Sequence, residues 1–209
     1  MRSILETILI IPAILIAFTV QGYSKAKMAD KLGDKTPRFQ GRLSLSPFNH
    51  IDLLGFIMIL FIGFGWTKPV ETNPSAYKRG NKDAIKVTLV SLFSTLVVAF
   101  IASFIYILLL RFGSILPIST ANIIGIIVRN VVTINVSLFI FNLLPLPGLA
   151  GFELLRELNP RKFYEISGTI YRYQFPILIG IAAVGGRILS IPTLFIAKIF
   201  INLAAFIIL

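Results

Sequence analysis

The chain has 209 residues, of which 56% are hydrophobic and only 14% charged, and it carries a net charge of +11. That much apolar surface exceeds what a soluble core absorbs, and the lack of cysteine excludes disulfides, thiolate metal sites and cysteine nucleophiles. The basic residues flank apolar runs without a stacking-aromatic module among them, which fits membrane-protein loops and excludes a nucleic-acid surface.

Taken in chain order, the start MRSILETILIIPAILIAF has one Arg ahead of an apolar run and no small-residue cleavage site. Ile4 to Val20 therefore reads as a retained first span. The polar tract QGYSKAKMADKLGDKTP follows. Ile51 to Trp66 is apolar but only 16 residues long and contains Gly55, Gly63 and Gly65. A helix of that length rises ~24 Å, short of a ~30 Å hydrocarbon core. Val87 to Leu110 is uncharged throughout and is the clearest span, and Ile115 to Leu144 is the next. The last run, Phe175 to Leu209, has 35 residues, too many for one span, and breaks are expected at Gly185 to Arg187 and at Pro192. Four to six crossings result.

Charge placement decides the second segment. Loops 21–50, 67–86 and 145–174 carry six, five and four Lys/Arg respectively. All three share one side only if 51–66 dips in and returns, leaving Arg2 and the Arg111 turn opposite. The positive-inside rule then puts the basic loops in the cytoplasm. The expected fold is an all-α polytopic membrane protein, a single membrane domain over 1–209, with a short re-entrant segment at 51–66. Non-helical backbone at that depth must be buried in protein or line a wet cavity.

Candidate chemistry is sparse. His50 is the only histidine, and Asp52 stands at a membrane boundary. One His among scattered carboxylates makes a poor zinc site, so His50 is expected to be structural, capping the re-entrant segment. Ser24 and Lys25 are helix neighbours about 100 degrees apart and cannot form a Ser/Lys pair unless the helix breaks at Gly22. Arg129 within an apolar span either faces a cavity or marks the hydrocarbon boundary and snorkels, with Glu6 a partner only if the first span lies beside it. The asparagines at 122, 130, 135 and 142 form a candidate helix-contact stripe. Pro145, Pro147, Gly148 and Gly151 either end a span or unwind it to line a site.

Several segments occur in a telling order: KLGDKT (Lys31 to Thr36), GRLSLSP (Gly41 to Pro47), His50 to Asp52, FGWTKPVETNP (Phe64 to Pro74) and NLLPLPGLAG (Asn142 to Gly151). The set resembles the short prokaryotic site-2 protease family of intramembrane zinc metalloproteases over most of the chain, most clearly over 18–164. In that family a span ending His-Glu-x-x-His precedes the Lys-Leu-Gly-Asp-x-Thr segment, and a Leu-Asp-Gly after the second proline supplies the third zinc ligand. Counted back from Lys31, the family's two His residues fall on Gln21 and Lys25, its Glu on Gly22, and its ligand Asp on Ala150. A middle-span Ala-Gly-Pro-x-x-Asn falls on Val90 to Thr95 and is also replaced.

The resemblance, with those replacements, implies a site-2-protease-like helical core that has lost its catalytic positions. The expected protein is an inactive relative in the prokaryotic cytoplasmic membrane, with no cofactor although the family uses zinc. It would bind a transmembrane segment of another protein in a groove formed by Phe64, Gly65, Trp66, Lys68, Pro69, Asn142, Pro145 and Pro147. Lys25 would pair with a carboxylate or carbonyl near Ala150. Restoring His, Glu, His and Asp at Gln21, Gly22, Lys25 and Ala150 is expected to recover zinc on an intact scaffold. The alternatives are an active intramembrane zinc metalloendopeptidase with unrecognised ligands, a small transporter or channel subunit using Arg129, and a purely structural partner protein.

Overall fold

The computed structural model describes residues 4–181, 183 and 186–209. In chain order the α-helices are α1 (Ile4–Leu32), α2 (Thr36–Phe39), α3 (Leu53–Ile62), α4 (Asn81–Phe112), α5 (Ile118–Asn142), α6 (Ala150–Leu158), α7 (Pro160–Gly180) and α8 (Gly186–Ile208). Among the described residues four helices, α1, α4, α5 and α8, are long and apolar enough to cross a membrane, and the protein is an integral membrane protein.

The apolar run ends at Val20, yet α1 continues to Leu32 because residues 21–32 contain no proline and are mostly good helix formers. It stops at Gly33, whose φ of 117° few other residues adopt, and the Asp34 amide then donates to Ala29 O at 3.0 Å. The polar tract after the first span is thus a rigid helical extension.

Lipid tails are as apolar as leucine, so these helices gain little from burial alone and associate through close packing. On α1 the buried residues Ile10, Ala13, Ile14, Ala17 and Phe18 recur at helical spacing. The small Ala13 and Ala17 belong to one cluster with Ala99 and Ala102 of α4 and Val132, Val136 and Leu138 of α5. Alanine here lets three backbones approach. α4 and α5 are joined by the short turn Gly113–Leu116, and α8 joins them, with Phe200 edge-on to Phe100 at 5.5 Å. Of the asparagine stripe, Asn130 reaches across to Leu9 O of α1 at 3.4 Å. Asn135 and Asn142 instead donate to carbonyls of their own helix, so the stripe is not a continuous interhelical seam.

α3 forms one leg of a hairpin. Asp52 caps it, accepting from the Gly55 amide at 2.8 Å, a role the sequence suggested for His50. Gly63 ends α3 with φ 94°, and an extended leg returns until the Lys68 amide donates to His50 O at 2.9 Å. The legs touch closely: a Cβ on Gly55 would lie 2.0 Å from Trp66 O, and one on Gly65 would lie 2.1 Å from Gly55 O. Arg42 clamps the base by donating to Asn49 O and Pro69 O, and Ser137 Oγ of α5 donates to Gly63 O at 2.9 Å at the tip.

The final apolar run is divided between α7 and α8. Gly185, where a break was expected, lies outside the described residues, and Pro192 sits inside α8 without ending it. Helix α7 starts at Pro160 behind the Asn159 cap, whose side chain accepts from the Lys162 amide at 3.1 Å. It packs Ile170, Ile177 and Leu178 onto a cluster of Phe64, Phe141, Leu146 and Leu149.

Candidate functional site

The four positions singled out by the resemblance come together. α1 presents Gln21, Gly22 and Lys25, and the start of α6 presents Ala150, all lining one pocket of about 20 Å³. Residues 142–149 bring the two elements together: Asn142 ends α5, the prolines prevent helix continuation, and Gly148 turns with φ 85°. Gly151 is squeezed against α5's exit, where a Cβ would stand 2.2 Å from Leu143 O.

The chemistry of the pocket is that of an ion pair. Lys25 Nζ lies 2.5 Å and 2.7 Å from the two carboxylate oxygens of Glu153, and Thr88 Oγ1 of α4 stands 3.2 Å from Oε2. The Lys25 side chain is 11% exposed and that of Glu153 25%. The carboxylate expected near Ala150 is therefore Glu153, one helical turn further on the same face of α6. Sequence reading did not name it, although the chain has no carboxylate between Asp83 and Glu153. Ser91 Oγ donates to Gln21 O at 3.3 Å, while Gln21 Oε1 is buried without a protein partner. Such an arrangement can hold α1 to α6 by charge and α4 to α6 by the Thr88 hydrogen bond.

His50 fills the space beside Gly22. It is fully buried, its Nε2 is 2.7 Å from Ser44 O, and its Nδ1 has no partner. Burial pushes its pKa below the ordinary value, so the ring is neutral at pH 7. A Cβ on Gly22 would stand 2.2 Å from Nδ1. Gly22→Ala is expected to destabilise the protein by about 1–3 kcal/mol, because the ring must leave its socket. In thermal unfolding, His50→Ala added to Gly22→Ala should recover most of that loss. Simple addition of the two single losses would show that the ring and Gly22 do not share the space. The same contact places a condition on restoring Glu at Gly22: His50 has to move first.

The expected groove residues divide among several places. Trp66, Pro69 and Pro147 line a cavity of about 150 Å³ with Asp52 and, from α7, Gln174 and Leu178. Phe64 is buried beneath it, stacked on Phe141 with ring centroids 5.0 Å apart, and Trp66 stacks on the same ring at 6.1 Å. Gly65 is enclosed between the hairpin legs, Asn142 belongs to the Lys25 pocket, and Lys68 and Pro145 are exposed. The groove is covered by α7, which sequence reading did not place there. Arg129 is remote from all of this, exposed in a cleft between α4 and α5.

A protein of Bacillus subtilis (strain 168) that carries the name "Putative zinc metalloprotease YwhC" is 34% identical to this chain over 147 residues, 70% of this chain and 67% of that relative. No family model and no solved structure matches the chain.

Proposed function

The chain belongs to the site-2-protease-like family of membrane zinc metalloproteases, and from that premise we propose that it is a member without catalytic metal that binds, and does not cut, a transmembrane segment of another protein. Zinc hydrolysis needs three protein ligands, an open position for water and a carboxylate base beside that water. At the corresponding positions stand an amide (Gln21), a residue without a side chain (Gly22), an ammonium (Lys25) and a methyl group (Ala150). The observation that carries the reading is the Lys25–Glu153 pair, which puts a positive charge and its counter-ion in the pocket lined by all four positions. Two like charges ~4 Å apart repel by roughly 1 kcal/mol even in bulk water and by more at lower dielectric. Among the described residues no group of three His, Cys, Asp or Glu side chains is disposed to hold a metal ion.

The α3 hairpin supports a re-entrant segment. Its helix of ten residues rises ~15 Å, half of a ~30 Å core, and its entry and exit segments meet at the His50–Lys68 hydrogen bond. The exit leg and the broken span end at Pro147 then flank the cavity under α7, where a partner segment would dock by taking the place of α7. With the hairpin re-entrant, the basic loops share the cytoplasmic side of a prokaryotic membrane.

The deciding experiment is elemental analysis of the full-length, detergent-purified protein together with photo-crosslinking from Pro69 and Pro147 in membranes. A zinc content far below stoichiometric, with crosslinks to a membrane protein that stays intact, is expected. Stoichiometric zinc lost in His50→Ala, with chelator-sensitive cleavage of a membrane substrate, would instead establish an active metallopeptidase, the activity in the relative's name.

A further inference from the structure

We propose that the cleft between α4 and α5 binds the anionic headgroup of a membrane phospholipid through Arg129. Beside their connecting turn the two helices border a cleft of about 740 Å³, lined by Tyr106, Leu109, Gly113, Asn122, Gly125 and Arg129. The space exists because α5 has small residues at Ala121 and Gly125; a Cβ on Gly125 would come within 3.7 Å of Leu109 Cδ2. Arg129 follows one turn later on the same face. It is exposed, and among the described residues no carboxylate forms an ion pair with its guanidinium. A charged side chain inside an apolar helix is costly in hydrocarbon unless it pairs or reaches the headgroup layer.

The level of Arg129 selects the partner. Asn130 next to it bonds to Leu9 O, which places Arg129 ~8 Å along α1 from Ile4. Along α5, however, Arg129 is 11 residues, ~16 Å, from Ile118, so its long side chain rising through the cleft covers about half of that distance and a headgroup entering beside Gly113 and Asn122 covers the rest. The other arginine at that end, Arg111, already donates to Ile208 O of α8. Charge complementarity therefore calls for an anion at Arg129, and basic pockets between transmembrane helices suit lipid headgroups. A whole transmembrane helix, ~10–12 Å across with its side chains, is a poorer fit to a cleft that opens toward the headgroup layer.

The test equilibrates the full-length protein in detergent micelles doped with phosphatidylglycerol or phosphatidylcholine of identical acyl chains and counts retained lipid by native mass spectrometry. Phosphatidylglycerol should be retained over phosphatidylcholine by ~tenfold, the scale of one charge-assisted contact. Arg129→Gln should abolish the preference and Arg129→Lys should keep part of it. Gly125→Leu, which fills the cleft and leaves the charge, should also abolish it; if Arg129→Gln is not monodisperse, this variant and Arg129→Lys carry the comparison. Equal retention of the two lipids by the wild type overturns the proposal, as does a preference unchanged in Gly125→Leu. Displacement of phosphatidylglycerol by millimolar inorganic phosphate overturns it in favour of a free-anion site. A co-purifying membrane protein lost in Arg129→Gln, without any lipid preference, overturns it in favour of an acidic partner helix.

Discussion

Gly55→Ala should destabilise the protein by ~3 kcal/mol or more, at or beyond the upper end of overpacking costs, and abolish crosslinking from Pro69. The new methyl group would stand 2.0 Å from Trp66 O, a backbone atom that cannot rotate away. The only relief is separation of the hairpin legs. That separation breaks the Lys68–His50 hydrogen bond, pulls Trp66 off Phe141 and moves Pro69 away from the Arg42 clamp. Thermal unfolding in detergent, read beside Leu54→Ala, checks it. Leu54 is 55% exposed on the same helix, and its truncation should stay within ~0.5 kcal/mol. Equal behaviour of the two variants would mean that the legs are not in contact at Gly55.

The second large effect belongs to the ion pair. Lys25→Met and Glu153→Gln should each cost ~2–3 kcal/mol, below the ~3–5 kcal/mol of fully buried pairs because Glu153 keeps a quarter of its surface. Each variant strands one charge: the Glu153 carboxylate beside Ala150, or the Lys25 ammonium against α4. The double variant Lys25→Met/Glu153→Gln removes both charges and should cost no more than either single variant, so the cycle should show a coupling of ~2–3 kcal/mol. Additive losses from unfolding midpoints would show that the pair does not hold α1 to α6.

Much of this was legible in the sequence because it depends on order and composition. Apolar runs of about the length that crosses a bilayer identified α1, α4 and α5, and the short glycine-rich run at 51–66 marked a segment of different geometry. The ordered motifs brought Gln21, Gly22, Lys25 and Ala150 to one place, since two segments that line a site in a family keep their spacing along the chain. What was not legible depends on which side chain reaches across. The unpaired ammonium of Lys25 called for a carboxylate, but naming Glu153 requires the direction in which α6 leaves the proline turn. That His50 fills the space beside Gly22, and that Asp52 takes the cap, follows from the hairpin's return and not from residue type. α7 was hidden because its apolar end, from Phe175, read as part of a membrane span, whereas its face of Ile170, Ile177 and Leu178 packs on the protein itself.

The ion pair also changes what the fold answers to. A site that must be loaded gains RT ln(1 + [L]/Kd) from its ligand, so its stability follows the free concentration of that ligand. Lys25 and Glu153 are carried on the same chain, and their mutual concentration is set by the geometry of α1 and α6. On the proposed metal-free reading, the join between these helices is complete as soon as the bundle assembles, is the same in metal-starved and metal-replete cells, and is not undone by a chelator.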